Sequence, residues 1–176
     1  MTLMLSEVFE LVDKQNSLED KKNILLKSKS PALLTILRYG LDQRIQFDTE
    51  IPLYKPDTSP VGLSYGSLQK EYRRLYIFTK NYTNVGINRK KNILAQILES
   101  ISPSEAKLLE NVLTKTFKLN DVTNEFLNCI FPELNLPALV KENHGKEEFA
   151  QTAVEEPTEN ETGKVQNNKK KSKKMV

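Results

Sequence analysis

The chain has 176 residues, of which 26 are basic, 23 acidic and 38% hydrophobic, for a net charge of +3. That length suits one compact domain with a tail, and the hydrophobic fraction is low enough to place part of the chain outside any packed core. One cysteine, Cys129, and one histidine, His144, exclude an intrachain disulfide, a Cys- or His-built zinc cage and a conventional hydrolytic triad.

Leu5, Val8, Phe9 and Val12 recur at helical spacing and predict a first helix, interrupted at Asn16. Ser17 is placed to cap a second helix with Leu18, Leu25 and Leu26 inward and Lys21, Lys22, Lys27 and Lys29 outward. Ser30-Pro31 pairs a cap with a ring preset for the first helical position, and opens a third helix through Leu33, Leu34, Ile36, Leu37 and Leu41 toward Phe47. Gly40 is a candidate kink or break in it. Residues 48–66 hold Pro52, Pro56, Pro60, Gly62 and Gly66, which deny a continuous helix and favour an extended excursion, with Ile51 to Tyr54 a candidate short strand.

Ser67 then opens a helix carrying Leu68, Tyr72, Leu75, Tyr76 and Phe78, and a longer one spans 87–101 through Ile93, Leu94, Ile97, Leu98 and Ile101. Ser102, Pro103 and Glu105 form a capping-box start. Leu108, Leu109, Val112, Leu113 and Phe117 follow on one face, leaving Lys107, Lys115 and Lys118 for solvent or a partner. Asp121 offers a cap for a last helix with Val122, Phe126, Leu127 and Ile130 inward, until Pro132 ends it. The expected fold is all-α, a compact bundle of six or seven helices over residues 1–140.

Residues 1–140 carry 18 basic and 16 acidic residues. Beyond them the charge is segregated: 141–163 holds 2 Lys against 7 Glu, and 164–176 holds 6 Lys and no acid. Such blocks have too few apolar groups to offset chain entropy, so 141–176 is expected to be a disordered tail. No apolar run approaches the about 18 residues that a membrane span needs, and Met1 to Val12 lacks the basic start of a signal peptide. An intracellular protein with no membrane partner is expected.

Two basic clusters in the body are candidates for phosphate contact. Lys70, Arg73 and Arg74 recur at helical spacing, and Arg89, Lys90 and Lys91 fall in the first turn of their helix, where cations oppose the macrodipole unless an anion is near. Arg74, Arg89, Lys90 and Lys118, with Thr83 and Asn88 as neutral donors, suit positioning of a duplex backbone without base readout. The alternative is a solvated helix face. Tyr65, Tyr72, Tyr76 and Tyr82 offer rings for base stacking, although their spacing is that of core residues. In the tail, Lys169, Lys170 and Lys171 suit loose attachment to nucleic acid, or folding back on the acidic block before them.

The elbow between the last two helices, with Lys115, Lys118 and Asn120, leads to Asn128 and then Phe131-Pro132-Glu133-Leu134. Upstream stand the opening helix from Met4 to Asp13, Lys21-Lys22-Asn23-Ile24-Leu25, Leu33 to Leu41, and Ser64-Tyr65-Gly66-Ser67-Leu68. In this order the segments resemble the N-terminal helical DNA-binding domain of ATP-dependent DNA ligases, those of T-even phages in particular. The chain is also similar to an uncharacterised family of small cyanophage proteins. In the ligases a nucleotidyltransferase domain follows, with its Lys-x-Asp-Gly motif. The nearest string here is Lys55-Pro56-Asp57-Thr58, with Thr for Gly, in the proline-rich loop. The elbow carries Asn120 and Asp121 where ligases tend to carry Gly, and both tolerate positive φ better than other non-glycine residues.

The resemblance implies a non-catalytic accessory protein that grips double-stranded or nicked DNA in phage replication, repair or recombination. It implies no cofactor, metal or small-molecule substrate, and residence in the cytoplasm of an infected bacterium. A body charge of only +2 makes unaided binding modest and salt-dependent. The alternative is an adaptor that keeps the fold and engages a phage or host protein such as a replication clamp.

Overall fold

A computed structural model describes residues 3–60 and 62–138. Among them are seven α-helices: α1 (Leu5–Lys14), α2 (Leu18–Lys27), α3 (Pro31–Leu41), α4 (Leu68–Glu71), α5 (Ile87–Ser100), α6 (Pro103–Leu113) and α7 (Asn124–Ile130). Two 3-10 helices, Tyr72–Phe78 and Pro132–Leu134, extend α4 and follow α7. The all-α expectation holds. The expected tail, 141–176, lies outside the described residues.

Helix α6 is the hub, packing against α1, α3 and α5. Its Ala106, Leu109 and Val112 are buried with Val8 and Val12 of α1, Leu33, Ile36 and Leu37 of α3, and Leu94, Ile97 and Leu98 of α5. Each fully buried aliphatic side chain contributes about 1.5–3 kcal/mol relative to exposure. The starts of α3 and α6 follow the sequence: Ser30 Oγ accepts from Leu33 N–H at 3.2 Å and Ser102 Oγ from Glu105 N–H at 3.4 Å, each with proline in the first turn. Glu105 does not complete the expected box. Its buried carboxylate instead accepts from the Leu68 backbone N–H at 2.9 Å, tying the start of α4 to α6.

Several expectations are corrected. Helix α2 is turned from its expected face: Leu18 and Leu26 are exposed, while Lys21 is 1% exposed. Lys21 reaches inward because its stem packs with the core and its ammonium meets the Asn120 carbonyl at 2.5 Å. Helix α3 stops at Leu41, one residue past Gly40, where the expected break falls, and so short of Phe47. Ile51 to Tyr54 pairs with nothing; the described residues contain only an isolated antiparallel bridge between Phe47 and Thr79. The helix opened by Ser67 becomes 3-10 after Glu71.

Asp121 is not the cap of α7. It sits at φ 55°, in the turn conformation that Asn and Asp tolerate, and Thr123 Oγ1 accepts from Phe126 N–H at 3.2 Å instead. Lys115 also takes positive φ, 60°. After α7, Asn128 folds the chain back, donating to the Leu136 carbonyl and accepting from its N–H, both at 2.8 Å.

Residues 48–60 and 62–66 form no helix, as the prolines require, and are moored at Tyr54 and Gly66. The Tyr54 hydroxyl donates to Glu110 on α6 at 2.8 Å, and Gly66 N–H donates to the Ser100 carbonyl at 2.7 Å. Burial and the adjoining Glu110 carboxylate push the Tyr54 hydroxyl up to about 12. A side chain at Gly66 would meet Ser100 Oγ at 2.8 Å, so that approach needs glycine.

Candidate nucleic-acid interface

The cations singled out in the sequence divide by where their side chains end. Lys90 is 2% exposed, and its ammonium donates to the Thr79 carbonyl at 3.4 Å with Asp48 at 3.9 Å. Lys115 donates to the carbonyls of Tyr39 and Asp42 and lies 5.0 Å from the centre of the Phe47 ring. Burial holds its pKa below the usual lysine value, with Asp42 opposing. Lys90 and Lys115 are thus corrected from phosphate contacts to internal fasteners. Their long apolar stems tolerate burial because backbone carbonyls receive the ammonium protons.

Lys91, half-buried, pairs with Glu50 across the start of α5. Glu50 beside it holds the expected anion near the macrodipole, and the carboxylate sits below its ordinary pKa through that hydrogen bond and charge. Arg89, the remaining cation of that turn, is exposed. Lys118 and Asn120 are exposed on the elbow, but their surroundings are not uniformly basic. Lys118 shares a shallow hollow with Glu10 and Asp13 of α1, and Asn120 N–H donates to Asp13 Oδ1 at 2.9 Å.

Lys70, Arg73 and Arg74 are all exposed. Lys70 and Arg74, four residues apart, face a groove of about 530 Å³ walled opposite by Gln96 and Ser100 of α5. Glu71 also lines it and holds Arg74 through a 2.9 Å ion pair, which fixes the guanidinium rather than cancelling its remaining donors. Tyr65, which also lines the groove, is 94% exposed. Arg73 lies against the Tyr72 ring, 5.8 Å from its centre. Core spacing holds for Tyr72, which packs half-buried against the core, but misleads for Tyr65 and Tyr76, which are exposed, while Tyr82 is half-buried. They sit in or beside short 3-10 and turn segments, where helical periodicity does not govern orientation. Lys169, Lys170 and Lys171 lie outside the described residues.

Two contributors were missed in the sequence. Lys21 holds the Asn120 carbonyl from within, so the elbow is clamped between α1 and α2; among the three lysines of α2 the sequence gave no sign of which one turns inward. Arg38 and Arg44 line a second concavity of about 270 Å³ at the end of α3, with Tyr39, Ile45, Gln46, Thr79 and Asn81. Asp42, buried beside it, is held below the ordinary carboxylate pKa chiefly by hydrogen bonds from Arg44, whose Nε and Nη2 each donate at 2.9 Å.

The Lys55–Thr58 string lies in the loop, with Asp57 Oδ1 accepting from the Ser59 N–H and hydroxyl at 3.0 and 2.8 Å. Among the described residues no group of three or more His, Cys, Asp or Glu side chains is placed to hold a metal ion. No helix among them is long and apolar enough to cross a membrane.

No curated protein and no solved structure matches this chain. A family model does, over residues 8–121, from Val8 in α1 to Asp121 in the elbow. That stretch takes in the clamped elbow, the groove beside Tyr65 and the Arg38 concavity, and the chain belongs to DUF6433, a family of unknown function.

Proposed function

We propose that this protein is a non-catalytic DNA-binding accessory factor that grips duplex or nicked DNA through its backbone, serving phage replication, repair or recombination. The observation that carries this reading is the groove in which Lys70 and Arg74 stand on one wall and Tyr65, also lining it, is almost wholly exposed. Cations in a concave track bind phosphates without regard to sequence, and an exposed ring stacks on a base that is free of its neighbours, as at a strand interruption. Arg73, Arg89 and Lys118 extend the set of exposed cations. The reading also draws on the resemblance of the sequence to the DNA-binding domain of ligases.

The test is fluorescence anisotropy with nicked and intact duplex over a range of salt. Charge reversal at Arg74 is expected to weaken binding several-fold and to lower the salt slope by about one phosphate contact. Tyr65→Ala is expected to reduce any preference for nicked over intact duplex. Unchanged affinity and slope in both variants would discard the reading.

One observation favours a protein partner instead. Leu53 is fully exposed and Leu63 largely so, on the moored loop, and large apolar side chains held out of a core are what an adaptor would offer. Loss of a captured partner on Leu53→Ser with Leu63→Ser, with DNA affinity indifferent to Arg74, is the pattern of that reading.

A further inference from the structure

We infer that the concavity at the end of α3 is an oxyanion site that takes a phosphate group, held by Arg38, Arg44 and Asn81. It deepens the DNA-binding reading and rests on that reading only for the source of the phosphate.

The site begins with backbone. Helix α3 ends at Leu41, and the chain turns so that the Gln46 carbonyl accepts from Lys80 N–H at 2.8 Å and Asp48 N–H donates to the Phe78 carbonyl at 2.9 Å. This short pairing holds residues 45–46 and 79–81 side by side, closing the hollow between them and the last turn of α3.

Its charge is unbalanced. Arg44 spends Nε and Nη2 on Asp42, and Nη2 also on the Asn135 carbonyl, which fixes the plane of the guanidinium while leaving Nη1 without a partner among the described residues. Arg38 is exposed, and its side chain makes neither a hydrogen bond nor an ion pair among them. Behind the lining, Lys115 and Lys90 bring two further ammonium groups against the carbonyls of Tyr39, Asp42 and Thr79. Four cations therefore surround the hollow against two carboxylates, Asp42 and Asp48, each already facing a cation.

A concave surface gathers such a field on whatever enters. Arginine forks match the geometry of phosphate oxygens, and the amide groups of Asn81 and Gln46 add neutral donors at the rim. The hollow, at about 270 Å³, has ample room for a phosphate group. A tetrahedral oxyanion is the ligand that suits its charge and its donors.

The test uses the full chain, titrated with sodium phosphate against sodium chloride at matched ionic strength, with the side-chain amides of Asn81 and Gln46 followed by NMR. Saturable shifts specific to phosphate are expected, weakened about tenfold or more by Arg38→Gln and also weakened by Asn81→Ala. Among the described residues Arg38 has no hydrogen-bond or ion-pair partner to lose, so its variant should melt with the parent. Shifts equal to those in chloride, or unaffected by Arg38→Gln, would overturn the site.

A duplex-binding arm identifies the source. Loss of DNA affinity in Arg38→Glu assigns the phosphate to a nucleic-acid backbone; saturable phosphate binding with unaltered DNA affinity assigns the site to a free phosphate or phosphomonoester. If phosphate saturates while Arg74→Glu leaves DNA affinity intact, the groove reading fails and this site stands. If only Arg74→Glu matters and phosphate does not saturate, the reverse holds.

Discussion

Lys21 and Asn120 are 99 positions apart, yet the ammonium of one donates to the carbonyl of the other at 2.5 Å inside the fold. The Asn120 N–H donates to Asp13, so both backbone polar groups of one elbow residue are satisfied by helices from the beginning of the chain. Lys21→Met keeps the stem and removes the donor. It is expected to cost about 1–3 kcal/mol in urea unfolding and to speed hydrogen exchange in the elbow around Asn120.

Gly40 and Phe117 form the tightest seam between α3 and the elbow. A methyl group at Gly40 would lie 2.5 Å from Phe117 Cδ1 and 3.1 Å from Cγ, and the ring is itself wedged edge-on against Phe9. Gly40→Ala gains helix propensity but overpacks this contact, for an expected net loss of about 1–3 kcal/mol. Adding Phe117→Leu should recover part of it, which a double-mutant cycle measures.

Asp42 gives the acid limb of stability. Its folded pKa lies below the ordinary 3.8, so its contribution is fully present above 3.8 and is lost as pH falls through the lower folded value. Asp42→Asn is expected to lower the melting temperature at neutral pH, where Arg44 loses its charged acceptor. The gap between variant and parent should close in acid. A gap independent of pH would show that the charge on Asp42 is not what stabilises the turn.

Lys90 and Arg89 are neighbours with opposite placements, one buried and one exposed. Lys90→Gln is expected to lower thermal stability and leave the salt slope of DNA binding near that of the parent. Arg89→Gln should do the reverse, lowering the slope by about one contact with little change in melting.

Asn128 closes the end of the described chain through two hydrogen bonds to Leu136, beneath which Phe131 and Leu134 are buried. Asn128→Ala strips both partners at once. An expected loss of about 1–3 kcal/mol, with early hydrogen exchange at Leu136, would identify this residue as a structural latch.

The helices were legible because their signals are local. Ser30-Pro31 and Ser102-Pro103 mark starts, and the apolar spacing of α5 and α6 marks faces, without reference to distant chain. The candidate interface was less legible because a lysine's role depends on what lies opposite its tip. Nothing near Lys21, Lys90 or Lys115 in sequence announces the carbonyls of Asn120, Thr79 and Tyr39 that receive them. Arg38 and Arg44 escaped notice for the same reason, since the pairing of residues 45–48 with 78–80 that shapes their hollow joins segments about thirty positions apart. The Tyr65 ring was misplaced because a turn, not a helix, sets its direction.

The moorings at Tyr54 and Gly66 also divide what mutation can alter cheaply from what it cannot. Outside them lies a hub whose buried positions tolerate little change; between them runs a mostly exposed stretch, tied to the hub again only near its start, where Lys55 N–H donates to Glu99 at 3.3 Å among the described residues. Drift should therefore act on the intervening span as on a replaceable cassette, changing its length and side chains while both anchors persist. Among relatives, new specificities would arise there first, by exchange of an outward surface on an unaltered chassis.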